Sequence, residues 1–151
     1  MAKRIDIVSD THGYLAPELL RAIEGCDLLI HAGDITSESN FAELEASVPA
    51  VRAVLGNNDG YYSYGPEVKR VNEFEFEGVR FAVSHYERDL PIASCDVAVC
   101  GHTHRPKIEH GRGWMLINPG SASLPRGRRE ASFARLMVED GHVLSAEIID
   151  L

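Results

Sequence analysis

The sequence has little from which to build a disulfide or structural-zinc scaffold: three cysteines in 151 residues, Cys26, Cys95 and Cys100, with no CxxC pair. An odd and scattered set excludes a cysteine framework. Free thiols in a reducing compartment are expected instead, which points to the cytoplasm. Long apolar runs are lacking too. None approaches the roughly 20 residues that span a bilayer, so no membrane partner is expected. Met1-Ala2-Lys3-Arg4 leads straight into strand-like sequence, without the apolar stretch of a secretory signal. An excess of basic residues is also missing: the formal net charge is −8. That argues against strong nucleic-acid binding, which relies on phosphate neutralisation by a basic face. A small phosphate substrate is not excluded, because bound divalent cations reverse the local potential. Repeats, low-complexity stretches and linkers are absent, so residues 1–151 are expected to form a single domain.

What is present is ordinary in amount, with 44% hydrophobic and 25% charged residues, close to a soluble globular protein. Its order is informative. Arg4–Ser9 is strand-like, although Asp6 interrupts it, and Pro17–Glu24 carries Leu19, Leu20 and Ile23 at helical spacing. Asp27–His31 and Val51–Leu55 are further strands, with a short helix expected over Asn40–Ala46 between them. This alternation implies right-handed crossovers and a parallel sheet. In the second half, Glu73–Glu77 alternates, Gly78 turns, and Val79–Ser84 returns as a hairpin partner. Val97–Cys100, Lys107–His110, Trp114–Asn118, Ser132–Val138 and His142–Ile149 are also strands, the last two joined at Asp140-Gly141. So many strands with so few helices predict an α/β fold of two packed sheets with helices outside.

The chemistry-bearing residues fall just past the C-terminal ends of these strands, where open α/β sheets place their sites. They are Ser9-Asp10-Thr11-His12-Gly13, Gly33-Asp34, Gly56-Asn57-Asn58-Asp59, Ser84-His85, Gly101-His102-Thr103-His104 and Asn118-Pro119-Gly120-Ser121. In extended chain Asp10 and His12 would point the same way and grip one cation together. Glycine at position 33 would let the backbone approach closely. Any one fragment is equally well a turn, a cap or a satisfied strand-end histidine. Together they form a set of oxygen and imidazole ligands without thiolate, which suits Mn²⁺, Fe, Zn²⁺ or Ni²⁺.

In this order, SDTHG, HAGDI, GNND, SH, GHTH and NPGS, the sequence resembles the calcineurin-like metallophosphoesterases, specifically their small single-domain phosphodiesterase group from bacteria and archaea. The resemblance covers nearly the whole chain and implies a four-layer α/β/β/α sandwich of two mixed sheets flanked by helices. It further implies two divalent transition-metal ions, with Mn the expected metal. One would be held by Asp10, His12, Asp34 and His104, the second by Asp34, Asn57, His85 and His102, with Asp34 bridging. Two such cations share a hydroxide and clamp phosphoryl oxygens for in-line attack on a small phosphodiester. Backbone amides around Gly120 and Ser121 would donate to the phosphate, with an ordinary turn as the alternative.

Two positions depart from the family. Many members carry GNH[DE], whose histidine helps to protonate the leaving group, but this chain has Asn58 there. Asn58 therefore joins Asp34 and His85 among the residues expected nearest to catalysis, as a substrate contact without acid function. General acid help is worth roughly 10²–10⁴-fold, so substrates with good leaving groups are expected to be favoured. Tyr86 follows His85 where the family usually has glycine, and either lines the substrate cleft or packs on the surface, the second being expected. The short segment Glu87–Asp96 leaves room for a turn or two of helix at most.

Arg126, in Leu124-Pro125-Arg126-Gly127, either reaches substrate phosphate or joins Arg128 and Arg129 in a solvated loop. His31 is either a partner behind the metal ligands or a strand-end histidine satisfied by backbone, the second being expected. Tyr61, Tyr62 and Tyr64 either stack on an aryl group or pin their loop to the core. Two competing functions stand beside the phosphodiesterase: a non-catalytic interaction module on the same scaffold, as in the retromer complex, and a phosphomonoesterase. A homo-oligomer stays open.

Overall fold

A computed structural model of the chain describes residues 1–127 and 130–151, so Arg128 and Arg129 lie outside the described residues. Five strands of the first sheet run β10-β9-β1-β2-β3, with β1 at Lys3–Val8, β2 at Leu28–His31, β3 at Val51–Ala53, β9 at Ser132–Glu139 and β10 at His142–Asp150. Strands β1, β2 and β3 are parallel, and β9 closes antiparallel on β1. The second sheet runs β4-β5-β6-β8-β7, from β4 (Val71–Phe76), β5 (Val79–Ser84), β6 (Val97–Val99), β7 (Lys107–Gly111) and β8 (Trp114–Asn118). Here β5, β6 and β8 are parallel, with antiparallel strands at both edges.

The two sheets pack face to face through Ile5, Ile7, Ile30, Phe81, Val83, Val99 and Leu136, all buried. Strand alternation sends the other face of the first sheet outward, where Leu29 and Phe133 meet two helices. These are α1 (Pro17–Ile23), begun by Pro17 in its first turn, and α2 (Glu38–Ser47), through Leu19, Ile23 and Leu44. Helix α2 starts two residues before the expected Asn40, because Ser37 caps it by accepting from Asn40 N at 3.1 Å. Asp6, which broke the apolar run of β1, is fully buried on this outer face. Its carboxylate accepts from Arg135 Nε at 2.8 Å and Arg4 Nη2 at 2.9 Å, so the charge is paired instead of excluded.

The fold is thus the expected four-layer α/β/β/α sandwich with a thin fourth layer. Outside the second sheet, two single 3₁₀ turns, Glu87–Asp89 and Ile92–Ser94, replace full helices and bring Leu90 and Ile92 onto Ala98, Cys100 and Leu116. The two hairpin turns predicted at Gly78 and Asp140-Gly141 carry positive φ at both central residues, as tight β-hairpins require, and Gly141 N donates to Glu77 O at 2.8 Å. No described helix is long and apolar enough to cross a membrane.

Candidate metal centre

The loops following β1, β2, β3, β5 and β6 converge. Asp10 is at their centre, wholly buried. Its Oδ2 is fully used, accepting from Ser9 Oγ at 2.6 Å and His102 N at 3.0 Å. Its Oδ1 points at imidazoles: His104 Nε2 at 3.2 Å, His85 Nε2 at 3.7 Å and His12 Nε2 at 3.8 Å. Asp34 Oδ2 lies 3.4 Å from His85 Nε2 and 3.7 Å from His12 Nε2, so it also stands between two histidines. Two groups of ligand atoms result, Asp10 with His12 and His104, and Asp10 with Asp34 and His85, each within 4.8 Å. Asn57 and His102 form a third part of the cluster. Asn57 Oδ1 is 3.2 Å from His102 Nδ1, and the His102 ring lies edge-on to His85 at 5.2 Å between centroids. All seven residues expected as ligands therefore meet at one place.

Convergence is achieved by turns rather than by strand alternation, which corrects the expected extended geometry of Asp10 and His12. Both have positive φ, 53° and 47°, as do Asp34, His102 and His104 at 60°, 71° and 60°. Side chains seldom tolerate this region, and a cluster of such residues marks strain held for function. Glycine supplies the close approach. A Cβ on Gly33 would come within 2.8 Å of His85 Nδ1, and one on Gly56 within 2.8 Å of Asp34 Cγ.

The chemistry of the donors fits divalent metal. Asp10 Oδ1 and His85 Nε2 are buried atoms with no hydrogen-bond partner, though such atoms are almost always paired. A cation beside each would satisfy it. The rings are aimed by their other nitrogens: Ala32 O lies 2.7 Å from His85 Nδ1, and Leu124 O lies 2.6 Å from His104 Nδ1. A carbonyl only accepts, so each Nδ1 carries the proton and each Nε2 keeps its lone pair for a ligand bond. Burial alone would push the Asp10 carboxyl up. The imidazoles of His104, His12 and His85 close by and the Ser9 hydroxyl outweigh it and hold Asp10 well below the usual carboxylate range. Asp34 is lowered in the same way, burial being outweighed by His85 and Asn58. Both are thus anionic and ready to ligate.

Several supporting residues escape a reading based on ligands alone. Asp59, buried, accepts from the backbone N–H groups of Gly56 (2.7 Å), Asp34 (2.8 Å) and Thr36 (2.9 Å), and from Tyr64 Oη at 2.8 Å. It knots the loops after β2 and β3 together, and its place at the end of GNND was the only signal. Tyr64 therefore pins its loop, while Tyr61 is exposed. Asn58 donates from its backbone N–H to Asp34 Oδ1 and from Nδ2 to Asp34 Oδ2, both at 2.9 Å. Where a general acid was missing, the side chain steadies a carboxylate.

Of the backbone amides expected to meet phosphate, that of Gly120 is used within the protein. Gly120 N donates to Asn118 Oδ1 at 3.0 Å and Ser121 Oγ to Asp10 O at 2.7 Å, and both residues are buried. The Ser121 hydroxyl thus holds the Asp10 loop in place. For Tyr86 the less favoured of its two alternatives holds: it lines a cleft beside Asn57 and His85. Arg126 is exposed, and its backbone N–H donates to His104 O at 3.2 Å, which places it beside the centre.

His31 proves to be held by backbone and side chain together. Gly33 N donates to its Nδ1 at 3.1 Å, so Nε2 carries the proton and donates to Thr11 Oγ1 at 2.9 Å. Complete burial lowers its pKa to about 4. The folded value lies below the unfolded value of about 6.5, so the unfolded chain takes up the proton first as pH falls. The stability from neutral His31 is complete above about pH 6.5 and is lost down to about pH 4, amounting to about 3 kcal/mol. Urea unfolding between pH 7 and 4.5 should show a steeper loss for the native chain than for His31→Gln. Parallel slopes would refute the assignment.

With this geometry in hand, comparison with known proteins decides the family. The pattern of the calcineurin-like phosphoesterase superfamily domain matches residues 4–141. The chain belongs to that family. A probable metallophosphoesterase of Methanothermobacter thermautotrophicus is 36% identical, over 96% of this chain and 91% of that one. An archaeal phosphodiesterase of known structure superposes with a TM-score of 0.80 at 25% identity, over 98% of this chain and 99% of that one. Vps29 of Entamoeba histolytica, solved with Zn²⁺, superposes with a TM-score of 0.75 at 17% identity, covering 97% and 98% of the two chains, a likeness of fold alone. This metallophosphoesterase family uses divalent metals, in keeping with the Asp and His groups of the centre.

Proposed function

We propose that the chain is a metal-dependent phosphodiesterase acting on small substrates with good leaving groups. The observation that carries the reading is the pair of buried, unpartnered atoms, Asp10 Oδ1 and His85 Nε2, at the centre of seven converging ligands. Asp10, His12, Asp34 and His104 would hold one divalent cation, and Asp34, Asn57, His85 and His102 a second, with Mn²⁺ the expected ion. Bound there, two cations would neutralise phosphoryl charge and supply a water nucleophile ionised near neutral pH. The protein's part is positioning. Asp34, gripped by both donors of Asn58, keeps its carboxylate between His12 and His85. Asn57, being neutral, adds a donor oxygen without repelling an anionic ester. Arg126, tied by its backbone N–H to His104 O, would meet a phosphate oxygen. Asn58 cannot protonate a leaving group, so the departing alcohol must be stable as its anion.

A chain that had given up chemistry for protein binding would gain nothing from keeping buried ligand atoms unpaired, which disfavours the interaction module. The test is hydrolysis of aryl phosphodiesters of graded leaving-group pKa by metal-replete and chelator-stripped protein. Metal-dependent rates that fall steeply with rising leaving-group pKa are expected, with phosphomonoesters slower. Absence of hydrolysis by protein holding two metals would leave the scaffold reading.

A further inference from the structure

The cleft beside the metal centre has a wall that the family pattern does not provide. A cavity of about 270 Å³ is lined by Asn57 and His85, which belong to the centre, and by Leu55, Tyr86, Arg70 and Asp89. Its volume is near the lower end of the roughly 300–1,000 Å³ typical of small-molecule sites. Its surface is mostly apolar. The Tyr86 ring is held in place before any ligand arrives. The guanidinium of Arg88 lies 4.2 Å over it, and the His102 ring lies 4.6 Å away. Arg70 donates from Nε and Nη2 to Asp89 Oδ2 at 3.1 and 2.9 Å. That pairing uses one carboxylate oxygen and two guanidinium nitrogens, leaving the other oxygen and further N–H donors for a ligand. An aromatic wall, an apolar floor and one adjacent donor–acceptor pair match a flat heterocycle with a polar edge. A plain aryl ring would leave the ion pair without a role.

We propose that this cleft is the base pocket of a nucleoside phosphodiester, with Tyr86 as the residue that determines specificity. The base stacks on Tyr86 and packs on Leu55, its edge meets Arg70 and Asp89, and the phosphate lies toward Asn57 and His85. The inference rests on the phosphodiesterase reading above, but binding can be measured apart from turnover. Calorimetry on metal-replete protein would use adenosine and guanosine 5′-monophosphate, phenyl phosphate, ribose 5-phosphate and inorganic phosphate as probes. At least one nucleotide should bind tenfold or more tighter than ribose 5-phosphate.

Base–aromatic stacking sets the expected loss: Tyr86→Leu should weaken nucleotide binding by roughly 10- to 100-fold and leave ribose 5-phosphate within about twofold. Tyr86→Phe should retain it. The Arg70→Ala, Asp89→Asn double variant should weaken the preferred nucleotide and spare phenyl phosphate. Nucleotides binding no better than ribose 5-phosphate would overturn the proposal, as would equal weakening of both probes in Tyr86→Leu. Phenyl phosphate matching the best nucleotide, with the double variant indifferent, would overturn the base assignment and leave an aryl pocket. Nucleotide binding without any hydrolysis would remove the phosphodiesterase reading and keep the pocket. Hydrolysis of aryl diesters without nucleotide preference would do the reverse.

Discussion

Asp10→Asn is expected to lower phosphodiester hydrolysis by roughly 10³-fold or more, about 4 kcal/mol of barrier, while the protein stays folded. The argument depends on the division of labour between the two carboxylate oxygens. Oδ2 accepts from Ser9 Oγ and His102 N, which are structural bonds. Oδ1 alone faces the imidazoles of His12, His85 and His104. Asparagine can keep its carbonyl on the structural side, which leaves an amide NH₂ group where a cation would lie. It cannot ligate from nitrogen and carries no charge. The cation that Asp10 would hold with His12, Asp34 and His104 should therefore be the one lost. Bound metal, measured by elemental analysis, should fall well below two per chain, with an unchanged circular dichroism spectrum. Full metal content with lost activity would show that Asp10 acts otherwise than as a ligand. Two metals and native activity together would remove it from the centre.

The second large effect concerns a residue with no side chain. A Cβ on Gly56 would overlap Asp34 Oδ1 and the Asp34 backbone N, and come within 2.8 Å of Asp34 Cγ. These atoms cannot yield cheaply, because Asp59 and Asn58 anchor the same loop. Gly56→Ala should therefore cost about 3 kcal/mol, at the upper end of ordinary overpacking. For a chain of this size that corresponds to a Tm lowered by roughly 6–12 °C, together with weakened metal binding through the displaced Asp34. Gly60→Ala is the control, since nothing lies within 4 Å of a Cβ there. Equal melting temperatures for the two variants would show that the close approach of the β2 and β3 loops is not required.

Strand identities were legible in the sequence because their signals are local. The alternation of Glu73–Glu77, the Asp140-Gly141 turn and the Pro17 helix start each depend on a few neighbouring residues, and β5 and β8 occur with the bounds expected. The seven metal-type residues were legible for the same reason, since each follows its strand directly. Their resemblance to the phosphoesterase family gave the two-sheet architecture as well.

What only the tertiary structure decided comes from contacts between loops distant in sequence. Nothing local marks the Asp10 loop as one that Ser121 and Ser123 must hold from more than a hundred residues away. Nor does it show that the Gly120 amide is spent on Asn118 Oδ1. The left-handed backbone at Asp10 and His12 is stable only because the Asp34 loop receives their N–H bonds, with Gly33 O accepting from Asp10 N and Asp34 O from His12 N. Tyr86 became a cleft wall because the segment behind it, too short for a helix, folds as a 3₁₀ turn that puts Arg88 over its ring. Sequence alone determined which metal-type donors the chain carries, since residue type dictates donor chemistry. Tertiary packing decided that Asp10 Oδ1 and His85 Nε2 remain unpaired, because that depends on what every neighbouring loop has already satisfied.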